Sequence, residues 1–319
     1  MIKNGNLSTD CYKGVRDFYP EDMAVQNYIF STWKKAAEKF GYSEYSASVL
    51  EPAELYRSKG SEEIVNEQMF TFTDRGGREV ALRPEMTPSL ARMIAARRKS
   101  LKFPLRWYTI ANCFRYERPQ RGRRREHWQL NADIMGIAGI EAEVEIISLA
   151  HTIMKVFGAK DEDFEIRIND RKAIFKIFEP ILRDKTQWSE ACRFLDKRPK
   201  LKPEEQEEGN KKYFTRAFNQ SEAGNIHKSK MLDEVKEALN AKGIKIVLDS
   251  SLMRGFDYYT GMVFEVFDTH PDNNRSLFGG GRYDNLLELF GTEPVPTVGF
   301  GMGDITIRDF LETHKLPLK

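Results

Sequence analysis

An arginine-rich stretch from Phe114 to Gly136 carries the side chains with the clearest chemical potential in this chain. Its arginines are Arg115, Arg118, Arg121, Arg123, Arg124 and Arg125. They face only three acidic residues, although the whole chain is nearly neutral, with 50 basic and 48 acidic side chains. A guanidinium presents a rigid fork of donors that matches two phosphate oxygens at once. The cluster predicts a triphosphate or nucleic-acid clamp, and its composition alone is equally compatible with a solvated basic hairpin.

Two segments flank this cluster and must position it. Leu105 to Phe114 is rich in aromatic and β-branched residues, and His127 to Met135 alternates roughly between polar and apolar. This pattern predicts two antiparallel strands joined by a charged loop. Residues two apart on a strand share a face, so Arg115 and Glu117 are expected to point the same way.

The Phe-Arg-x-Glu motif, its loop and the following strand resemble the second signature motif of class II aminoacyl-tRNA synthetases. The Arg-Pro-Gln-x-Gly-Arg loop is similar to that of histidyl-tRNA synthetases. The resemblance implies that Arg115 contacts the α-phosphate of ATP, that Glu117 contacts the adenine and that Arg123 lies near the phosphates. His127 stands where an adenine-stacking phenylalanine is usual, and an imidazole ring can stack in the same way.

A proline-flanked loop at residues 83–88 contains a carboxylate and a hydroxyl two positions apart. Both can accept hydrogen bonds from an ammonium group. The loop resembles the one that holds the α-amino group of histidine in the family, which implies that role for Glu85 and Thr87. A helix-capping role for Thr87 is equally consistent with the local sequence. The resemblance also places Gln129 and Asp133 at the histidine, where an aspartate can accept from an imidazole N–H.

The sequence Arg-Gly-Phe-Asp-Tyr-Tyr, from Arg254 to Tyr259, is the most specific signal in the chain. It is similar to the Arg-Gly-Leu-Asp-Tyr-Tyr motif of histidyl-tRNA synthetases and their close relatives. The resemblance implies that Arg254 stabilises negative charge on the α-phosphate as pyrophosphate leaves. It also implies that Tyr258 and Tyr259 line the histidine pocket. A core strand would explain the tyrosines, but not Arg254 and Asp257 beside them.

The C-terminal part contains a glycine-rich segment and the counterpart of the third class II motif. Phe278 to Leu289 predicts a flexible triple glycine followed by a helix, and the family has a Gly-Gly-Arg-Tyr-Asp stretch beside its histidine site. Thr297 to Gly303 predicts a strand, followed by a helix from Asp304. The family places an arginine for the γ-phosphate at the start of this helix, whereas this chain has Thr306. Arg308 is turned about 200° away on a helix and is no obvious substitute.

The remaining segments are expected to form the framework that positions these residues. A helix capped by Asp22 and ended by Gly41 leads into a strand at Tyr45 to Leu50, which resembles the first class II motif and its dimer interface. Strands at 70–73 and 80–82 flank a hairpin turn. Charged helices between 184 and 242 resemble the inserted domain that lies near the tRNA acceptor stem in the family. We expect one class II synthetase-like catalytic core over 1–319, without the family's C-terminal anticodon-binding domain.

Cysteine spacing, hydropathy and net charge exclude several classes of protein. Cys11, Cys113 and Cys192 have no metal-ligand spacing, so reduced thiols and no protein metal site are expected. No apolar run approaches the ~20 residues of a membrane span, and no signal peptide is recognisable. The net charge of +2 requires any nucleic-acid contact to come from local patches. A cytoplasmic chain without membrane contact is therefore expected.

The resemblance implies an α+β fold, with a mixed, mostly antiparallel sheet flanked by helices and a helical insertion. The implied function is that of the catalytic domain of a histidine–tRNA ligase. It would activate L-histidine with ATP to histidyl-adenylate, with Mg2+ as counter-ion, and transfer it to the tRNA acceptor end as a homodimer.

One alternative is a regulatory subunit of ATP phosphoribosyltransferase, a histidine-sensing paralogue that has this core and does not aminoacylate. The complete set of ATP-binding arginines favours the ligase, because a histidine sensor does not need it. Thr306 and the missing anticodon-binding domain favour the regulatory subunit. A binding module that has lost catalysis is a third interpretation.

Overall fold

The computed structural model describes residues 2–3, 6–58, 64–198, 201–216, 229–253 and 258–319. Its strands are short at the N-terminus and long in the centre of the chain. They are β1 (Ile2–Lys3), β2 (Asn6–Leu7), β3 (Ser43–Glu44), β4 (Leu50–Pro52), β5 (Phe70–Thr73), β6 (Glu79–Leu82), β7 (Leu105–Phe114), β8 (Glu126–Met135), β9 (Phe164–Asp170), β10 (Val247–Leu248), β11 (Met262–Asp268), β12 (Ser276–Arg282) and β13 (Thr297–Gly303).

Helices alternate with these strands along the chain. They are α1 (Pro20–Lys39), α2 (Glu54–Arg57), α3 (Thr87–Arg97), α4 (Glu141–Val156), α5 (Arg171–Phe178), α6 (Trp188–Lys197), α7 (Pro203–Tyr213), α8 (Lys230–Asn240) and α9 (Asp304–Thr313). Shorter turns of other helix types occupy Ile64–Gln68, Glu179–Ile181, Lys185–Gln187, Pro271–Asn273 and Leu286–Phe290. In the described ranges, no helix combines the length and apolar character that a bilayer crossing requires.

Eight strands form the central sheet, in the order β10-β9-β11-β12-β13-β8-β7-β3. The two outer pairs, β10 with β9 and β3 with β7, are parallel, and every pair between them is antiparallel. A separate three-stranded antiparallel sheet has the order β4-β6-β5. The predicted mixed, mostly antiparallel sheet flanked by helices is confirmed.

The two faces of the central sheet have different roles, as strand β8 shows. Its even-numbered residues Leu130, Ala132 and Ile134 are fully buried in the main core, which contains residues of α1, α4 and α9. The odd-numbered residues point to the opposite face because successive side chains on a strand alternate. There, α3 packs its apolar residues into a second, smaller cluster. The polar side chains of β8 are therefore held between the sheet and the segment leading into α3.

Several local predictions differ from the structure. Helix α1 begins at Pro20 with Tyr19 as its N-cap, so Asp22 lies in the first turn and does not cap it. Gly41 does follow the helix, with a left-handed φ of +82°. The strand predicted at 45–50 is wrong except at Leu50, because the chain pairs before that segment in β3 and again only from Leu50 in β4. The triple glycine lies within β12 and is not a loop.

The charged segment at 184–242 contains α6, α7 and α8. Cys192 of α6 and Phe214 join the main core, as do the apolar residues of α8. Helix α8 packs against α4 and β9. The predicted boundaries of a helical insertion stay a prediction.

Candidate active site

A cavity of about 440 Å³ opens on the polar face of the sheet. It lies over β8, β12 and β13 and is bordered by the arginine-rich loop and by the segment leading into α3. Its lining includes all the predicted site residues that lie in the described ranges: Glu85, Thr87, Arg115, Glu117, Arg123, His127, Gln129, Asp133, Tyr258 and Tyr259. Arg254 and Asp257 lie outside the described residues. One pocket thus brings together side chains from segments far apart in sequence.

Glycines of β13 make room for the polar side chains of β8. Gly299 pairs with Asp133, and Gly303 pairs with Gln129. A Cβ atom built on Gly299 would collide with Oδ1 of Asp133, and one on Gly301 would lie 2.8 Å from Cδ of Gln129. Both distances are shorter than those found between Cβ atoms and their neighbours in real structures. The glycines therefore let the β8 side chains lean across the neighbouring strand into the cavity.

Asp133 forms the acidic floor of the cavity, with only 2% of its surface exposed. The Tyr283 hydroxyl donates a hydrogen bond to its Oδ1. Burial raises the pKa of Asp133 to about 7, although the hydrogen bond from Tyr283 acts to lower it. A buried carboxylate of this kind gains from a hydrogen-bond donor such as an imidazole N–H.

Asp133→Asn should stabilise the histidine-free protein more at alkaline than at acidic pH. Folding raises the pKa of Asp133 from 3.8 to about 7, so the native state binds more protons than the unfolded state between these values. Stability then falls as pH rises through that window. Asparagine does not titrate, so the stability of the Asn variant relative to the parent should increase by about 3 kcal/mol between pH 5 and pH 8. Urea unfolding at both pH values measures this, and equal gains would contradict the assignment.

Glu85 forms a second buried acidic group. The Tyr258 hydroxyl donates to its Oε2 at 3.2 Å, whereas Oε1 has no hydrogen-bond partner within the described residues. Burial raises the pKa of Glu85, and the charge of Arg115 and the bond from Tyr258 act against that rise. A buried acceptor oxygen without a partner is costly, so an ammonium group here would stabilise it.

Thr87 also lines the cavity and is the first residue of α3. Met86 occupies the N-cap position, and no side chain caps the helix. The capping alternative for Thr87 is therefore wrong, and its hydroxyl remains beside Glu85 in the pocket lining.

The part of the cavity that the arginine-rich loop lines, its basic end, contains three arginines, of which Arg115 acts on the pKa of Glu85. Arg115 donates from Nε to the backbone oxygen of Pro84 at 2.9 Å, which holds its guanidinium in place. Arg123 contacts Glu117 at 3.3 Å between Nη1 and Oε2. Arg124, which the sequence analysis assigned no individual role, lines the cavity as well. These cations suit an anionic ligand.

Two arginines of the cluster have structural roles, so the clamp is smaller than the sequence suggests. Arg121 donates from Nε to Asp309 at 2.8 Å and from Nη2 to Thr313 at 3.0 Å, which fastens the loop to α9. Arg125 is buried, donates to the Tyr12 hydroxyl at 2.8 Å and stacks on the Tyr116 ring. Neither lines the cavity.

His127 lies at the start of β8 and lines the cavity. Burial lowers its pKa to about 3, and the nearby charges of Arg115 and Arg16 act in the same direction. The imidazole is therefore neutral near pH 7. A neutral aromatic ring is suited to stack on a nucleobase.

Asp304, at the start of α9, was not predicted as a functional residue and has a positioning role. Its Oδ1 accepts from the backbone N–H of Trp128 at 2.9 Å, and its Oδ2 accepts from Arg16 at 2.6 Å and Gln26 at 3.0 Å. The carboxylate is almost completely buried. It ties the start of β8, next to His127, to the N-terminal segment and α1.

Thr306 and Arg308 follow on the same helix. Thr306 lines the cavity, and its hydroxyl donates to the backbone oxygen of Leu277 at 2.7 Å. Arg308 lies 3.4 Å from Asp22 and 2.8 Å from Glu312. Arg308 does not line the cavity, and that it is no substitute for an arginine at 306 stays a prediction.

Sequence reasoning missed Asn131 and Tyr283 as individual site residues. Asn131 lies between Gln129 and Asp133 on the same face of β8, and the alternation of the strand could have identified it. Tyr283 follows the triple glycine, and only the fold brings it to Asp133.

Known proteins are similar to this chain in sequence and in fold. A family model described as "Histidyl-tRNA synthetase" matches residues 14–304. The histidine–tRNA ligase of Leptospira biflexa serovar Patoc is 42% identical over 335 residues, covering 99% of this chain and 77% of the relative. That of Opitutus terrae is 39% identical, covering 95% and 75%. A solved histidine–tRNA ligase subunit from Alicyclobacillus acidocaldarius matches with a TM-score of 0.76 at 22% identity, covering 97% of this chain and 99% of that one.

Proposed function

We propose, because this chain belongs to the histidyl-tRNA synthetase family, that the described pocket is where it activates histidine with ATP. The chain is an aminoacyl-tRNA synthetase enzyme, a histidine–tRNA ligase, with histidine, ATP and tRNA as substrates. One observation carries the assignment of the pocket. A single cavity has a buried acidic end with Glu85 and Asp133, and a basic end with Arg115 and Arg123.

The acidic end holds histidine in this proposal. Oε1 of Glu85 and the Thr87 hydroxyl accept from the α-ammonium group, and Asp133 accepts from an imidazole N–H, with Gln129 beside it. Tyr258 supports Glu85 through the hydrogen bond to Oε2. Tyr259 contributes an aromatic wall. This arrangement leaves the carboxylate of histidine directed toward the basic end.

ATP occupies the rest of the cavity. His127 stacks on the adenine, Glu117 accepts from its amino group, and Arg115 and Arg123 hold the phosphates. Mg2+ enters with ATP as the counter-ion of the triphosphate. Arg254, which lies outside the described residues, is assigned to the α-phosphate on its sequence motif.

The reaction has two steps. A carboxylate oxygen of histidine attacks the α-phosphorus, the bond to the bridging oxygen of pyrophosphate breaks, and histidyl-adenylate forms. The terminal ribose hydroxyl of tRNA then attacks the activated carbonyl, and AMP leaves. Arg115 and Arg254 stabilise charge that shifts onto the phosphate oxygens, so catalysis rests on positioning and electrostatics.

The purified chain should catalyse ATP–pyrophosphate exchange that depends on histidine and on no other amino acid. Exchange requires only the first step, so it tests the pocket without tRNA. Asn131→Leu, which fills the cavity with an apolar side chain, is the matched inactive control. If calorimetry shows that histidine binds but no exchange occurs, the proposal is contradicted. The regulatory-subunit function would then be favoured again.

The regulatory-subunit alternative is not favoured. The relatives that cover nearly the full chain are histidine–tRNA ligases, and the chain spans 77% of the length of the one from Leptospira. Arg115, Glu117 and Arg123 line the same cavity as the histidine-end residues. A histidine sensor does not require that basic end.

The proposal also includes an oligomeric state and a cellular location for the protein. We expect a homodimer, supported by three exposed apolar side chains at the three-stranded sheet: Val49 at 37%, Leu50 at 42% and Phe72 at 49%. We expect a cytoplasmic location, because protein synthesis takes place there. The segment 184–242 is proposed as the insertion that approaches the tRNA acceptor end.

A further inference from the structure

One cation lies beside the basic end of the cavity, outside its lining, in a position that suggests a ligand. Arg275 precedes β12, and its guanidinium lies under the tip of the arginine-rich loop. Its Nη1 donates to the backbone oxygen of Arg121 at 2.8 Å. Its Nε and Nη2 make no hydrogen bond within the described part of the chain, and 30% of the side chain is exposed. The guanidinium is therefore held by one hydrogen bond and by a long ion pair from Nη2 to Asp309 at 3.8 Å.

Gly122 and Thr306, both in the cavity lining, locate this guanidinium. A Cβ atom built on Gly122 would lie 3.5 Å from Cζ of Arg275 and 3.8 Å from Cγ2 of Thr306. The arginine head group and the short threonine side chain thus both lie beside Gly122, and of the two only Thr306 lines the cavity. Gly122 has a left-handed φ of +78°, and its missing side chain permits this close approach.

The charges around this point do not balance. Asp309 is bound by Arg121 at 2.8 Å and lies 3.8 Å from Nη2 of Arg275. Two guanidinium groups therefore share one carboxylate, and Arg124 adds another positive charge to the cavity lining. A local excess of positive charge next to a cavity favours an anionic group there.

We propose that Arg275 binds the terminal phosphate of ATP, supplying from the loop before β12 the positive charge that α9 lacks at Thr306. This inference rests on the proposed function, since it requires ATP in this cavity. The short side chain of Thr306 leaves the space, and its hydroxyl is already bonded to the backbone of β12. Arg275 approaches the same space from behind Gly122, and its side chain would turn from Asp309 to meet the phosphate.

The test compares nucleotides that differ only in the number of phosphates. Arg275→Gln removes the charge and keeps an N–H donor for the backbone oxygen of Arg121, so the loop should retain its position. Calorimetry should show ATP binding weakened by about tenfold or more, ADP binding weakened less and AMP binding changed by less than twofold. The matched control is Arg308→Gln, on α9 outside the cavity, which should bind all three nucleotides like the parent.

A second variant keeps the proposal testable if the glutamine disturbs the loop. Thr306→Arg in the Arg275→Gln background places a guanidinium at the same point from α9, and ATP affinity should recover toward that of the parent. Equal weakening for ATP and AMP, or no weakening for ATP, would overturn the role of Arg275. If the parent chain binds histidine but no nucleotide at all, the proposed function fails. This outcome concerns the parent chain, so it is distinguished from a failure of the role of Arg275, which is seen only in the variants.

Discussion

Replacing Arg115 with alanine should slow histidine-dependent ATP–pyrophosphate exchange by about a thousandfold, the effect of losing one fixed donor to developing charge. Its guanidinium is preorganised by the bond from Nε to the Pro84 backbone oxygen. The loss should appear mainly in kcat, since charge on the α-phosphate develops during the reaction. Rapid-quench measurement of adenylate formation separates this step from substrate binding.

The same substitution should also change the pH dependence of histidine binding. The charge of Arg115 opposes the rise in the pKa of Glu85. Without it the pKa of Glu85 rises further, so a smaller fraction is ionised near neutral pH. The KM for histidine should therefore increase most at low pH and recover as pH rises.

Arg115→Lys is the matched control because it keeps the charge and loses the planar fork. It should retain the parent's pH profile for histidine while remaining slow in adenylate formation. An alanine variant with a normal exchange rate would show that residues other than Arg115 stabilise the charge on the α-phosphate.

Gly299→Ala should raise the KM for histidine by about a hundredfold. The new methyl group would occupy the position of Oδ1 of Asp133 and would lie 2.9 Å from the backbone oxygen of Ala132. The carboxylate must then move away from the Tyr283 hydroxyl, which breaks the hydrogen bond that orients it. Overpacking of this kind also costs about 1–3 kcal/mol of stability. ATP affinity should change much less, because Gly299 pairs with Asp133, six residues along β8 from the proposed adenine-stacking His127.

A double variant separates the collision from other effects on the strand. Gly299→Ala with Asp133→Ala removes the carboxylate that the new methyl group meets. Its free energy of unfolding should exceed that of Gly299→Ala alone, while histidine binding stays lost. A double variant as unstable as the sum of its two single variants would mean that the glycine is needed for the backbone and not for Asp133.

The sequence predicts the long central elements well. Strand β7 and strand β13 begin and end at the predicted residues, and α9 begins at the predicted Asp304. These segments are long enough for their aromatic, β-branched and alternating residues to show a clear period. The short strands β3 and β4 have two and three residues, so no period is visible, and their pairing partners lie elsewhere in the chain.

The triple glycine shows why composition misled the prediction. Three consecutive glycines indicate a flexible loop when only local preference is considered. In the fold, a Cβ on Gly281 would lie 2.6 Å from the backbone oxygen of Met262 and 2.9 Å from the Tyr259 ring. The glycines are required by close packing between β11, β12 and β13. Such a requirement comes from strands that are distant in sequence.

The arginine cluster shows a similar limit for the site. Its charge predicts an anion-binding loop, and three of its members do line the cavity. Nothing local distinguishes them from Arg121 and Arg125, whose partners Asp309 and Tyr12 come from opposite ends of the chain. Asp304 was missed for the same reason, because its donors Arg16 and Gln26 belong to the N-terminal segment.

The pairing of β13 with β8 has a consequence for synthesis on the ribosome. Strand β8 is complete at Met135, but its partner ends at Gly303, so the interval between them is on the order of ten to thirty seconds at usual elongation rates. During that time β8 has only β7 beside it, and its other edge is open to non-native pairing. The nascent chain is therefore most exposed to aggregation before β13 is made, and histidine can protect it only after that strand has inserted.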